Sequence, residues 1–276
     1  MRKRGRRSAA QSRARHQQII DVLKAEGAAS ITALAQRFEC SSATIRRDIA
    51  IIQPQVPEVK KYHGVITLDS AVTERYFQDK TDLAREEKEE IARAVCSTIP
   101  DHSVIGVNGG TTTVAVAREM VRQHKSVTVV TNAINVALEF ANTDLTVVVI
   151  GGVLRMPNFE TTGLMAVRNL GTLHLDWAVL GANGVHPRFG VSTTNEAEAS
   201  IGAAFSRHAE RVMVVADHSK CNHRALYRML DWTEVQTIVS DRAADPILEE
   251  WSSQLKFERQ WVMPNLAVWV RAPEGQ

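Results

Sequence analysis

The stretch Ser41-Ser42-Ala43-Thr44-Ile45-Arg46-Arg47-Asp48-Ile49 leaves few ways for the chain around it to fold. On a helix it stacks Ile45, Ile49 and Ile52 on one face and turns Ala43, Arg47 and Ala50 the other way, with Thr44 and Arg46 flanking them. Ser41 and Ser42 are N-cap candidates, so the helix begins where backbone N–H groups and small side chains can approach a phosphate. Small residues beside arginines let a helix enter a major groove, where a guanidinium bonds guanine edges or flanking phosphates. Most amphipathic stretches are only core helices with a solvated basic face. What precedes this one narrows the choice. Ser30 caps a short helix with Ile31, Leu34, Ala35 and Phe38 at helical spacing, and Phe38-Glu39-Cys40-Ser41 leaves room for a tight turn alone. Upstream, Arg15, Ile19 and Leu23 recur at helical steps and Gly27 stands where a C-terminal cap belongs. This pattern predicts a helix-turn-helix with a supporting helix.

Charge agrees with that reading only when its distribution is considered. The net charge is +2, yet Arg2, Lys3, Arg4, Arg6, Arg7, Arg13 and Arg15 all precede the first acidic residue, Asp21. Residues 1–14 form a basic, flexible arm that adds salt-sensitive, sequence-independent affinity for a polyanion, or else serves as a solubilising tail. Beside a reading helix, contact with DNA backbone or minor groove is the preferred reading. With 276 residues, 44% hydrophobic and 23% charged, the chain has room for one or two globular domains. Its apolar runs, such as Val147-Val148-Val149-Ile150, are too short to span a bilayer, and Met1 to Arg15 lacks the apolar stretch of a signal peptide. A cytoplasmic protein with no membrane partner is expected. Cys40, Cys96 and Cys221 are too widely spaced to suggest a disulfide framework or a zinc site.

Pro54 and Pro57 end the reading helix. Residues 59–66 then read as a small β-hairpin, a wing whose Lys60, Lys61 and His63 either touch phosphates or protect an edge strand from aggregation. Residues 68–73 lose periodicity, and 73–99 read as a helix with a solvated charged run from Arg85 to Glu90 and a buried edge of Ile91, Val95 and Ile99. Such a helix either joins two domains or pairs with its copy.

Downstream, β-branched runs at 104–107, 127–131, 146–150, 177–180, 211–216 and 237–240 alternate with helical stretches, which predicts an α/β domain with a largely parallel sheet covered on both faces. Ligands of such sheets bind past the carboxyl ends of strands. Asn108-Gly109-Gly110-Thr111-Thr112-Thr113 falls there, ahead of a helix at 114–123; its glycines let backbone N–H groups converge, and a phosphate monoester fits. Neither a Walker lysine nor a GxGxxG pattern accompanies it, so a nucleoside triphosphate or dinucleotide is not expected. Thr131-Asn132, Gly151-Gly152 with Arg155, Gly181-Ala182-Asn183-Gly184 after Asp176, Asn195-Glu196-Ala197-Glu198 and Asp217-His218-Ser219-Lys220 lie at comparable places.

The run from Arg15, Ile19 and Leu23 through Ser41, Thr44, Ile45, Arg46, Arg47, Asp48 and Ile49 resembles the signature of the DeoR family of bacterial transcription regulators. Asp176 with Gly181-Ala182-Asn183-Gly184 looks like that family's Asp and Gly-Ala-x-Gly elements, and Asp217-His218-Ser219-Lys220 its Asp-x-Ser-Lys. The resemblance spans nearly the whole chain. It implies a winged helix-turn-helix at 15–69, a linker and connecting helix at 70–100, and a Rossmann-like effector domain at 101–276, similar to sugar-phosphate isomerases, that senses a phosphorylated sugar or polyol. The expected DNA-binding residues are Ser42, Ala43, Thr44, Arg46, Arg47, Lys60, Lys61 and His63, with Asp48 a structural ion-pair partner. The expected effector-binding residues are Asn108, Gly109, Gly110, Thr111, Thr112, Thr131, Asn132, Gly151, Gly152, Arg155, Asp176, Gly181, Asn183, Glu196 and Lys220. The chain departs from the family at His63-Gly64-Val65-Ile66, where His-Gly-Gly-Ala is usual, and at Asn108, where an acidic residue is usual.

An enzyme remains the alternative, with Asp176, Glu196 or Glu198, and Lys220 as acid, base and cation in proton shuttling on a sugar phosphate. The attached reading head favours a repressor without turnover. His218, Cys221 and His223 are too loosely spaced to predict a metal, and no cofactor is expected. One head reads a short site, so operator duplex DNA, the effector and further copies of the chain are the expected partners.

Overall fold

A computed structural model describes residues 12, 14–23, 28–56, 59–62, 65–68, 83–155, 158–263 and 266–272. The chain divides into two compact units, residues 1–76 and 77–276. Gly27, Pro57 and His63, the arm at 1–11 and most of the expected linker lie outside the described residues.

In the first unit, α1 (14–23) precedes β1 (Ala28–Ser30), α2 (Ile31–Arg37), α3 (Ser42–Ile52), β2 (Val59–Tyr62) and β3 (Val65–Leu68). Its core is the periodic apolar set of the three helices plus the sheet: Ile19, Leu23, Leu34, Ile45, Ile49 and Ile66 are fully buried. Both expected caps form. Ser30 accepts the N–H of Ala33 at 3.0 Å and Ser41 that of Thr44 at 3.1 Å, contacts each worth about 1 kcal/mol to a helix start. Between the helices Glu39 takes φ of 48°, which turns the chain within Phe38–Cys40. The wing hairpin pairs Lys60 with Thr67 and Lys61 with Ile66. The three residues of β1 add to it on the β3 side, a strand too short to show as a sequence pattern.

The second unit opens with α4 (Arg85–Thr98) and continues through β4 (Val104–Val107), α5 (Thr111–Arg122), β5 (Thr128–Thr131), α6 (Ile134–Glu139) and β6 (Val147–Val149). A hairpin of β7 (Val153–Arg155) and β8 (Glu160–Thr162) leads to α7 (Leu164–Leu170) and β9 (Leu175–Gly181). Next come β10 (Gly184–His186), β11 (Gly190–Thr193), α8 (Glu196–Arg207), β12 (Ala209–Val215), β13 (Tyr227–Leu230), β14 (Thr237–Val239), α9 (Asp245–Leu255), β15 (Phe257–Met263) and β16 (Leu266–Arg271).

Eight strands form one sheet in the order β15-β16-β14-β12-β9-β4-β5-β6. The six strands from β14 to β6 run parallel, and all six match the β-branched runs of the sequence. Side chains of β12 show why both faces are covered: Val212 and Val214 enter one apolar cluster with Phe205, Trp232 and Trp251, while Met213 and Val215 enter the other with Ile91, Val95 and Met120. The Ile91, Val95 and Ile99 edge of α4 therefore packs against α5 inside this unit. In the charged run before it Arg85, Glu86 and Glu89 are exposed, Glu87 and Glu90 half-buried, and Lys88 is buried. The antiparallel pair β15 and β16 was not foreseen and closes one end of the sheet. From β4 the chain builds outward through β5 and β6, then returns to place β9 on the other side of β4, so the order reverses between β4 and β9. The carboxyl ends of those two strands flank the crevice in which sheets of this kind take ligands.

Candidate functional site

On α3, Ile45, Asp48, Ile49 and Ile52 are buried, whereas Ala43, Arg46 and Arg47 are exposed and Ser42 and Thr44 half-buried. Asp48 holds the inward face: its carboxylate accepts from Arg15 Nε at 2.7 Å and Nη2 at 3.1 Å and lies 2.9 Å from His16 Nε2. Burial pushes this carboxyl up, but the hydrogen bonds and charges of Arg15 and His16 outweigh it and leave it below the ordinary carboxylate range. The network fixes the roll of α3, which is what turns Arg46 and Arg47 outward. In the wing, Lys61 is exposed and Lys60 half-buried.

At the sheet's switch point, Asn108 ends β4 and clasps the end of β9. Its Nδ2 donates to the Gly181 carbonyl at 3.1 Å and its Oδ1 accepts the Gly181 N–H at 2.7 Å. Gly110 follows with φ of 149°, a backbone state that favours glycine, and α5 begins at Thr111 with no side chain capping it. Unsatisfied N–H groups and the helix dipole make such a start attractive to an anion. Thr111 and Thr112 are half-buried there, while Thr113 turns back to donate to the Gly110 carbonyl at 3.0 Å. Beside it, Thr131 donates to the Val107 carbonyl at 2.7 Å and Asn132 to the Thr161 carbonyl at 3.0 Å. Asn132 is fully buried and its Oδ1 has no hydrogen-bond partner among the described residues, a state that costs about 1 to 3 kcal/mol unless a donor arrives.

Residues 15–72 match the DeoR-like helix-turn-helix domain and residues 83–242 the DeoR C terminal sensor domain. The chain belongs to the DeoR family. A putative aga operon transcriptional repressor of Escherichia coli O157:H7 is 35% identical over 233 residues, covering 82% of this chain and 85% of that one. The glycerol-3-phosphate regulon repressor of Escherichia coli strain K12 is 30% identical over 228 residues, covering 82% and 90%. Among solved structures, ribose 5-phosphate isomerase A from Methanocaldococcus jannaschii aligns with 68% of this chain and 80% of its own at 13% identity and a TM-score of 0.38. This DeoR-family chain is thus a DNA-binding transcription regulator with a sensor domain, and none of its described helices is long and apolar enough to cross a membrane.

Its sensor brings together a polar cluster that sequence reasoning caught only in part. Gly109 N–H donates to Glu160 Oε1 at 2.9 Å. Glu198 pairs with Arg155, accepts Asn158 Nδ2 at 2.7 Å and lies 2.6 Å from the Thr193 hydroxyl, which in turn lies 2.7 Å from Asn183 Oδ1. Gly109, Arg155 and Asn183 were expected here; Glu160, Asn158 and Thr193 were not. Glu196, chosen from the sequence, is exposed, and it is Glu198, two places along α8, that enters the cluster. The helical phase of α8 settles this, since Asn195 caps the helix and position 198 lies on its inward face.

Asp176 does not join the site. It lies at the start of β9, where its Oδ2 accepts the Val104 N–H at 2.6 Å, at the amino edge of the sheet and about 16 Å of strand away from Gly181. His174, Asp176 and Glu210 converge at that edge with ligand atoms within 4.8 Å of one another. Gly151 and Gly152 follow β6; a Cβ on Gly152 would come within 2.7 Å of the Thr162 carbonyl, so the glycine seats the β7–β8 hairpin. Lys220 follows β12 with its Nζ 3.1 Å from Ser219 Oγ and 4.0 Å from Asp217. His218 is held by Asp241 at 2.8 Å, and burial with the nearby Asp241 and Asp217 pushes the Cys221 thiol up to about 12.

Proposed function

We propose that this protein represses genes of carbohydrate or polyol metabolism and that a phosphorylated sugar or polyol, seated at the carboxyl ends of β4, β5 and β9, controls its grip on operator DNA. The observation that carries the reading is the uncapped start of α5 behind the Asn108–Gly110 turn, at the point where the strand order reverses. The relatives named for the aga operon and the glycerol-3-phosphate regulon support the chemical class. Thr44, Arg46 and Arg47 read bases, while Lys60, Lys61, His63 and the arm at 1–14 contact phosphates. The boundaries that go with this are 15–69 for the head and 101–276 for the sensor, with α4 of the 70–100 connection packed into the sensor's core. Work on DNA places the protein in the cytoplasm, and reading repeated half-sites requires at least two copies.

In this reading the sensor binds its effector without turnover. Proton transfer between sugar carbons needs its acid, base and cation within reach of one substrate, yet Asp176 lies at the opposite edge of the sheet from Lys220. The test is a titration of duplexes carrying the regulated promoters with the full chain, with and without glycerol 3-phosphate and a panel of hexose phosphates. One of them should shift operator affinity and raise the melting temperature of the protein. Absence of any duplex preference, with no phosphate ester altering it, would refute the reading.

A further inference from the structure

The turn assigned above to a phosphate is already held by a part of the protein. Glu160 reaches it from β8, is only 2% exposed, and accepts the Gly109 N–H at 2.9 Å. A Cβ built on Gly109 would come within 2.6 Å of the Glu160 carboxyl carbon, so the missing side chain at 109 is what admits this carboxyl group. A carboxyl oxygen and a phosphate oxygen both accept from a backbone N–H, the carboxyl more strongly once ionised, and one N–H cannot serve both well. We propose that Glu160 is a built-in competitor for the effector's phosphate, seated in the glycine turn of the chain alone and displaced when the phosphate enters; this rests on the turn being the phosphate site.

The surroundings make the competitor displaceable. The charged groups facing it are Glu198 from α8 and Arg155 from β7, and Arg155 is paired with Glu198. Asn158 Nδ2 stands 3.5 Å from the second oxygen. Burial and the charge of Glu198 push the Glu160 carboxyl up to about 8, against the pull of Arg155 and the Gly109 hydrogen bond. Near neutrality it carries a proton, so it accepts weakly from Gly109 and does not repel an incoming dianion. Once ionised it grips the turn and repels phosphate. The backbone of Glu160 bridges that of Ala133 after β5 and pairs with that of Arg155 in β7, and its neighbour Thr161 bonds both Asn132 and Ile150, so a shift at Glu160 is felt at these strand ends.

The experiment titrates inorganic phosphate into the full-length protein by calorimetry at about pH 8 and about pH 9.5, where phosphate stays dianionic. It compares wild type with Glu160→Gln and Glu160→Ala. Wild-type affinity should fall with pH by up to about tenfold per unit, the limit for one linked proton. Both variants should bind more tightly than wild type at the higher pH and lose most of the slope. Two variants are used so that poor folding of one leaves the other decisive. If either folded variant binds more weakly than wild type, or keeps its slope, Glu160 supports the turn rather than competing for it and the proposal fails while the phosphate site stands. If none of the three proteins binds phosphate, the site assignment fails with it.

Discussion

Two buried carboxyl groups, Asp48 from the head and Glu160 from the sensor, are treated in opposite ways. Asp48 in the reading head meets Arg15 through two nitrogens and His16 through a third. Glu160 in the sensor meets one backbone N–H, a distant amide, a second carboxylate and an arginine already paired with that carboxylate. Burial raises both groups; what separates them is the supply of donors, which drags Asp48 below its ordinary range and leaves Glu160 at about 8. A buried charge saturated by cations fixes a structure. One that is short of partners stores a preference for another arrangement, and that is where a ligand has leverage.

The comparison breaks most visibly at Asp48. Asp48→Ala removes the buried carboxylate that ties half-buried Arg15 and His16 to α3 and frees the roll of that helix, so it should cost the head about 2 to 3 kcal/mol. Operator binding should be lost, with the melting of the sensor unchanged; circular dichroism melts and fluorescence anisotropy would check both. Gly109→Ala, which forces the Glu160 carboxyl out of its seat, should cost the sensor about 2 kcal/mol by overpacking, read as a lower urea midpoint. Arg47→Ala should leave stability alone and relax operator preference by about 1 to 3 kcal/mol, if it holds a bidentate base contact; unchanged preference in a competition assay would mean that the exposed face of α3 is not the one that reads.

The pH response of the two units should differ in sign. The folded value of Asp48 lies below 3.8, so its contribution is complete above that value and disappears as pH falls through the folded one. The folded value of Glu160 lies above 4.5, at about 8, so the sensor loses stability as pH rises between those values. Glu160→Gln should flatten that loss in urea midpoints taken across the window. The smallest effect belongs to the arm: deleting residues 2–7 should weaken binding to every duplex alike and reduce the salt slope by about 0.9 for each phosphate contact removed.

The head was largely legible because its information is local. Ile45, Ile49 and Ile52 repeat at helical steps, and Ser30 and Ser41 stand where caps must stand. The six parallel strands were legible for the same reason, as β-branched runs between amphipathic helices. Glu160 was not, because its partner Gly109 is 51 residues away and nothing in Phe159-Glu160-Thr161-Thr162 announces a contact across a sheet. The distance of Asp176 from Gly181 was legible too, since a strand with one near its start and the other at its end puts the two at opposite edges. The pair β15 and β16 escaped notice because β15 is exposed along most of its length, with Trp261 63% exposed under the Arg259 guanidinium, so inside and outside do not alternate cleanly.

Asn108 has a consequence of its own. By facing Gly181 with one donor and one acceptor, its side chain imitates a peptide group and adds a rung of ladder just beyond the point where β4 and β9 stop pairing. Both ends of the amide are engaged, so recognition of a sugar at this mouth falls to its neighbours. An aspartate there, the kind of residue the resemblance leads one to expect, would set oxygen against the Gly181 carbonyl and unzip the rung. In this protein the two strand ends beside the crevice are joined by a neutral stitch.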